Sequence, residues 1–329
     1  MRPSEVKNSL RRLTRIQRPA FVWGPIGAGK SDTVAELAEE EGKELRDVRL
    51  SLLDSVDLKG FPSANKAKTQ MTWLPPDFLP TKGEGILFLD EMNLAPQSVQ
   101  AAAYQLILNR RLGDYVLPDG WSILAAGNRD SDRSNVNRMP SALSARLVHL
   151  DYEIHLDDWC VWATDTKRNI GSNLVSFIRF RPDLLHRFNA NERAFPNPRS
   201  WVFVDQLSTE SGLSPDTEFE LVKGTVGEGA AGEYMAFTTL IRDLPTTEQI
   251  LLDPEGTVMP TSPGTLCALV TSLGMKASQN VMDRMMTYVN RMPVEFQVVF
   301  VRDATRRDAK VATTRSFTTW SIANASVLV

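Results

Sequence analysis

Cysteine and histidine are scarce, with two of the first and three of the second among 329 residues. Cys160 and Cys267 lie far apart and make no metal-ligand spacing, and His149, His155 and His186 form no H-E-x-x-H pattern. A disulfide scaffold and a Cys/His metal site are therefore not expected; two reduced thiols are. No run approaches the roughly 18 apolar residues that a membrane span requires. Met1 to Pro19 is charged throughout and lacks the apolar stretch of a signal peptide, so the expectation is a soluble, cytoplasmic chain. An excess of positive charge is also missing. The net charge of −3 leaves no overall basic field to hold nucleic acid, which makes a nucleic-acid partner unexpected. Arg11, Arg12, Arg15 and Arg18 cluster locally, as the solvated face of a helix would. Internal repeats and low-complexity segments are absent.

What is present is ordinary globular composition, 42% hydrophobic and 23% charged, over a length that suits two compact domains. One stretch stands apart. The apolar run Ala20 to Trp23 leads into Gly24-Pro25-Ile26-Gly27-Ala28-Gly29-Lys30-Ser31, and a helical pattern follows from Asp32 to Glu41. Strand, G-x-x-x-x-G-K-S, helix is the context of a phosphate-binding loop. Gly27 and Gly29 allow backbone conformations in which successive N–H groups turn toward phosphate oxygens. Lys30 brings an ammonium to the β- and γ-phosphates, Ser31 a hydroxyl to Mg²⁺, and the helix starting near Asp32 its positive end. ATP and Mg²⁺ are the ligands this predicts.

Read in order, an amphipathic helix from Ser4 to Gln17 opens the chain, and Arg46 to Leu52 alternates as a second strand. Asp57 to Gly83, broken by Gly60, Pro62, Pro75, Pro76 and Pro80, reads as a long loop. Gly85 to Leu89 is a fully apolar strand, Pro96 to Arg110 a helix, Leu112 to Trp121 a small hairpin, and Ser122 to Ala126 and Leu147 to Tyr152 two further strands. Strands alternating with helices predict a doubly wound parallel α/β sheet over residues 1–154. Beyond Leu156 the pattern turns helical, with Trp159 to Ala163, Asn173 to Phe180, Pro198 to Leu207 and Glu233 to Asp243 as helices of an all-helical domain over 155–243. Asp243 to Pro263 reads as a connector. Helices at Thr265 to Lys276, Val281 to Arg291 and Pro293 to Arg302 form a C-terminal extension, 244–329, whose boundary with the preceding domain stays open.

Four more elements bear on chemistry. Leu89-Asp90-Glu91 ends an apolar strand, where ligands of open α/β sheets bind. Asp90 is placed to hold Mg²⁺ and Glu91 to orient or deprotonate the attacking water. Ala125-Ala126-Gly127-Asn128 ends a later strand, so Asn128 either holds that water or closes a turn. In Met139 to Leu147 a proline starts a short helix with Arg146 at its far end. Arg146 suits a trans-acting finger on a neighbouring subunit's γ-phosphate, or it caps its own helix or pairs with a carboxylate; Arg138 and Arg133 compete for the finger role. In Asn197-Pro198-Arg199-Ser200, asparagine caps and proline begins a helix. Arg199 then sits in a first turn where the dipole disfavours a cation, an arrangement explained by a bound phosphate or by simple solvent exposure.

With G-P-I-G-A-G-K-S, L-D-E-M-N-L-A-P, A-A-G-N, M-P-S-A-L-S-A-R and N-P-R-S in this order, the chain resembles the MoxR-type branch of the AAA+ ATPases. Bacterial and phage MoxR-like ATPases also carry segments like Val56 to Pro62 and Ala103 to Tyr115. The resemblance runs over about residues 15 to 205 and fades beyond Asp243. It implies a doubly wound P-loop (AAA+) domain followed by a helical lid, and a hexameric ring of identical subunits with ATP between them. By motif, Gly24 to Asp32 with Asp90 hold the nucleotide and Ser31 with Asp90 the metal. Glu91 is the water carboxylate, Asn128 the first sensor, Arg146 the finger and Arg199 the second sensor. The implied activity is ATP-driven, chaperone-like remodelling of a partner, often with a separate protein bearing a von Willebrand factor A-type domain. Arg129 to Ser134 departs from the N-P usual in MoxR proteins and is similar to the N-x-x-D-R-S element of restriction GTPase relatives, with one extra residue. That keeps ATP versus GTP open and supplies the alternative, a nucleic-acid-associated NTPase motor subunit.

Overall fold

The computed structural model describes residues 1–129, 139–168, 170–189, 191–209 and 212–325. The chain divides into two compact units, Met1–His155 and Leu156–Val329.

In the first unit, α1 (Pro3–Arg15) precedes β1 (Ala20–Trp23), the phosphate loop, α2 (Lys30–Glu40) and β2 (Glu44–Arg49). After α3 (Ser55–Lys59), β3 (Phe61–Ala64) and β4 (Met71–Leu74) come β5 (Gly85–Asp90) and α4 (Gln97–Asn109). The hairpin β6 (Arg111–Leu112) and β7 (Tyr115–Val116), β8 (Trp121–Gly127), α5 (Ser141–Ser144) and β9 (Val148–Asp151) complete it. Five strands form one parallel sheet in the order β2-β5-β8-β1-β9. Its central strands β5 and β8 are buried along their whole length, as their uninterrupted apolar runs require. Alternate side chains point to opposite faces. Ile86, Phe88, Leu124 and Ala126 pack with Val6 and Leu10 of α1 and Val34 and Leu37 of α2. Leu87, Leu89, Ile123 and Ala125 pack with Val99, Ala103 and Leu106 of α4. Helices thus cover both faces, and the sheet is doubly wound.

The segment expected to be a loop between Asp57 and Gly83 is more ordered than its prolines indicated. Asp54 and Asp57 form a reciprocal capping box that starts α3, and Gly60 ends it. β3 and β4 then pair as a hairpin, with Phe61 opposite Leu74 and Ala64 opposite Met71. The second strand also starts and stops earlier than its alternation implied, because Leu50–Leu52 turns into a short 3-10 helix.

The second unit is helical: α6 (Leu156–Ala163), α7 (Ser172–Phe180), α8 (Pro198–Thr209), α9 (Pro215–Val226), α10 (Glu228–Ile241), α11 (Thr247–Leu252), α12 (Pro263–Met275), α13 (Met282–Val289), α14 (Val294–Arg307) and α15 (Arg315–Ala323). α12 is buried nearly all round and packs against α7 and α14. Across that packing Arg179 of α7 grips Asp303 of α14 through two hydrogen bonds, 2.6 and 2.9 Å, and donates to Thr271 of α12 at 2.9 Å. Three of these helices correct the reading of the sequence. α11 occupies the supposed connector, and α9 and α15 went unseen. Each carries a legible start: Ser214 and Thr314 accept the N–H of Thr217 and Phe317, and Thr246 with Gln249 forms a capping box. Each buries only one or two side chains, too few to print a clear apolar stripe in the sequence.

Candidate functional site

The phosphate loop leaves β1 at Trp23 and enters α2 at Lys30. Gly27 and Gly29 take φ of +71° and +94°, which side chains resist, so the glycines fall where the turn needs them. The Lys30 ammonium donates to Gly24 O (2.8 Å), Pro25 O (3.0 Å) and Asn128 Oδ1 (3.2 Å). The Ser31 hydroxyl donates to Asp90 Oδ2 at 2.6 Å. Asp90 ends β5 and Asn128 follows β8, both neighbours in the sheet. The carboxyl ends of β1, β5 and β8 therefore bring Lys30, Ser31, Asp90 and Asn128 together.

Glu91 turns sharply out of β5 with φ +53°, a left-handed conformation that costs a side-chain-bearing residue roughly 1–2 kcal/mol. Its Oε2 accepts the hydroxyl of Ser51, which lies just beyond β2. Asp47 of β2 adds a third carboxylate. Burial of its carboxyl first, and then the Asp90 charge, push its pKa up; Arg49 opposes this and Glu91 adds to it. A divalent cation would relieve such like-charge crowding, and Ser31 and Asp90 supply hard oxygen ligands of the kind Mg²⁺ takes alongside phosphate and water. The residues present fit Mg²⁺.

Several side chains that matter here carried no motif. Asn93 is 2% exposed, and its amide clamps the main chain of Asn128, accepting its N–H at 3.1 Å and donating to its C=O at 2.7 Å. Gly127 permits this approach, because a Cβ there would stand 2.2 Å from Asn93 Oδ1. The only sequence signal for Asn93 was its place in L-D-E-M-N-L, directly after the acidic pair. Asp47 lies in β2 and Ser51 just beyond it, in a segment whose alternation marked a strand and no site.

Arg146 is exposed, and its guanidinium donates to Ala142 O at 2.7 Å, so in the isolated chain it caps its own short helix. That helix is anchored through His149. Trp23 Nε1 can only donate, so His149 Nδ1 accepts from it at 2.8 Å; the hydrogen of His149 is then on Nε2, which donates to Ser144 O at 2.8 Å. Arg133 and Arg138, with most of the Arg129 to Ser134 stretch, lie outside the described residues. Arg199 belongs to the second unit, exposed in the first turn of α8, whose start is capped by Asn197 Oδ1 accepting Ser200 N–H at 3.0 Å. The basic face of α1 is engaged: Lys7 pairs with Glu36 and Glu40, and Arg11 and Arg15 reach Glu40 and Glu41 of the α2 end.

No protein-family model matches the chain. It is 29% identical over 163 residues to midasin of Giardia intestinalis, a match spanning 46% of this chain and 3% of midasin's length. Among solved structures it is similar to NtrX from Brucella abortus, at 14% identity and a TM-score of 0.44 over 91% of this chain and 67% of that one. The Holliday junction branch migration motor RuvB of Thermotoga maritima gives 14% identity and a TM-score of 0.36, over 82% of this chain and 67% of that one. Likenesses that distant carry no function. Among the described residues no helix is long and apolar enough to cross a membrane. The chain is thus similar in sequence to a short stretch of midasin, and its own geometry is that of an α/β phosphate-loop fold with a five-stranded parallel sheet, followed by a helical unit.

Proposed function

We propose that this chain is a MoxR-type AAA+ ATPase that hydrolyses ATP at the subunit interfaces of a six-membered ring, and uses the cycle to remodel or activate a partner protein. The observation that carries the proposal is the meeting of Lys30, Ser31, Asp90 and Asn128 at three adjacent strand ends, from segments far apart in sequence. Lys30 is already turned into the loop, where its ammonium rests on two carbonyls and an amide oxygen. Phosphate oxygens are better partners for that charge and would draw it away from them. Mg²⁺, held by Ser31 and Asp90, supplies charge neutralisation to the phosphates when bound. Glu91 takes the proton of the attacking water once Ser51 releases its carboxylate, and Asn128 holds that water in line.

Arg146 is assigned the trans-acting finger, since an exposed guanidinium bonded only to a helix carbonyl among the contacts described is cheap to redirect. Arg199 as second sensor rests on the family resemblance alone. A separate chain with a von Willebrand factor A-type domain is the partner that resemblance implies. The nucleic-acid alternative finds little support in α1, because Lys7, Arg11 and Arg15 are committed to carboxylates of the α2 end.

Steady-state ATPase measurements test the core of this. Glu91→Gln is expected to lower turnover by about 10²-fold or more while nucleotide still binds, and Lys30→Ala to lose binding. Unchanged turnover in both variants refutes the mechanism.

A further inference from the structure

Tyr152 follows β9 directly, carries no motif, and is 3% exposed. It touches the phosphate loop at both ends. At the start of the loop its N–H donates to Trp23 O at 2.6 Å, and a Cβ on Gly24 would stand 2.9 Å from its own Cβ. At the far end its hydroxyl lies 3.2 Å from Thr33 Oγ1. The direction of that bond follows from its neighbour. Thr33 Oγ1 donates its one hydrogen to Gly29 O at 2.9 Å, so it receives from Tyr152 and the relay runs Tyr152 to Thr33 to Gly29. The Thr33 N–H reaches the same carbonyl at 3.0 Å.

The peptide joining Gly29 to Lys30 is planar and trans, so its C=O and N–H point in opposite directions. Pinning the Gly29 carbonyl on the α2 side fixes the Lys30 N–H on the other, where the loop opens. Gly29 itself sits at φ +94°, and the Thr33 hydroxyl adds a second hold on its carbonyl beside the Thr33 N–H. Tyr152 also reaches the sensor strand: its carbonyl accepts the Arg129 guanidinium at 2.7 Å, next in sequence to Asn128.

We propose that Tyr152 is a positioning residue for nucleotide phosphates, acting through Thr33 to hold the Gly29–Lys30 peptide in its anion-binding orientation. The proposal rests on the nucleotide reading above and assigns the site a support that no motif marks. A pre-set plane spares the ligand the ordering cost of setting it, so the relay raises affinity without touching the ligand.

Equilibrium binding of ATP to the full chain tests it, with the thermal midpoint of each nucleotide-free variant measured alongside. Tyr152→Phe and Thr33→Val each interrupt the relay with little change of shape. Each is expected to weaken ATP by about 3–10-fold, the value of one buried hydrogen bond. The midpoint should move by no more than about 2–4 °C. The double variant should bind no worse than the poorer single one, because both break the same relay. Thr33→Ser, which keeps the hydroxyl, should retain wild-type affinity. Full affinity in Tyr152→Phe, additive losses in the double variant, or a Thr33→Ser as weak as Thr33→Val each overturn the proposal while leaving ATP binding intact. A wild-type chain that takes up no ATP overturns the nucleotide reading and this proposal with it.

Discussion

At the scale of single residues, the site depends on groups that do no chemistry themselves. Asn93 satisfies both main-chain groups of Asn128 inside the protein, where unpaired N–H and C=O are costly. Asn93→Ala should cost about 1–3 kcal/mol in denaturant unfolding, and should lower ATP turnover more than ATP affinity because the sensor amide loses its mount. Asp205 of α8 shows the same logic in the second unit. It is 7% exposed, and it accepts the Gly171 N–H at 2.9 Å at the start of α7. Burial pushes its pKa up, and that one hydrogen bond offsets the rise only in part. The sign of the pH effect follows. A carboxyl whose folded pKa is raised contributes stability that is whole below its unfolded value and is lost as pH rises through the folded one. Asp205→Asn, which keeps an acceptor for Gly171, should therefore melt a few degrees above wild type at neutral pH. The gain should vanish as pH falls through the carboxylate range. A pH-independent difference between the two melting curves would refute this.

Elements are held in place by means that differ in strength. α1 lies on α2 through apolar contacts of Val6 and Leu10, and its ion pairs with Glu36, Glu40 and Glu41 are partly solvated, so they add little. The pair between α7 and α14 is different in kind. Side chains of Arg179 and Asp303 are 12% and 4% exposed; burial works against the Arg179 charge, but the Asp303 carboxylate outweighs it and holds the guanidinium pKa above its usual value. Asp303→Ala leaves that guanidinium uncompensated and should cost about 3–5 kcal/mol in urea unfolding. Arg179 of the same pair pulls the pKa values of two neighbouring thiols down, and burial overrides it. Cys160 and Cys267 are buried close to it, and burial pushes the Cys267 thiol up to about 11, which keeps both thiols in their unreactive protonated form.

For the whole molecule the question is what the proposed ring would add. Arg146 caps its own helix within one chain, and the proposed finger role would arise only against a second. Subunits bearing Arg146→Ala and subunits bearing Glu91→Gln, each inactive alone, should regain ATP turnover when mixed. In mixed rings an Arg146→Ala site with its own Glu91 receives the finger of a Glu91→Gln neighbour. Absence of rescue, with rings shown to form by light scattering, removes Arg146 from the role and passes it to Arg133 or Arg138. Magnesium and ATP should drive assembly in the same experiment, since the finger binds only an occupied site.

Though α3 and the β3–β4 hairpin were hidden behind prolines, the five strands of the parallel sheet were written in local patterns: apolar runs for β5 and β8, glycines and Lys30 for the loop, a strand end for Asp90 and Glu91. Those are short-range signals, and one chain suffices to read them. Sequence also placed the helical half, though it lost α9, α11 and α15, whose caps were plain and whose apolar stripes were not. Partnerships between distant segments were beyond its reach. Nothing in local composition says that Ser51 will meet Glu91, that Asn93 will carry Asn128, or that Tyr152 will brace the loop through Thr33. Such contacts arise because a parallel sheet sets its carboxyl ends side by side, and only the strand order β2-β5-β8-β1-β9 decides which ends are neighbours.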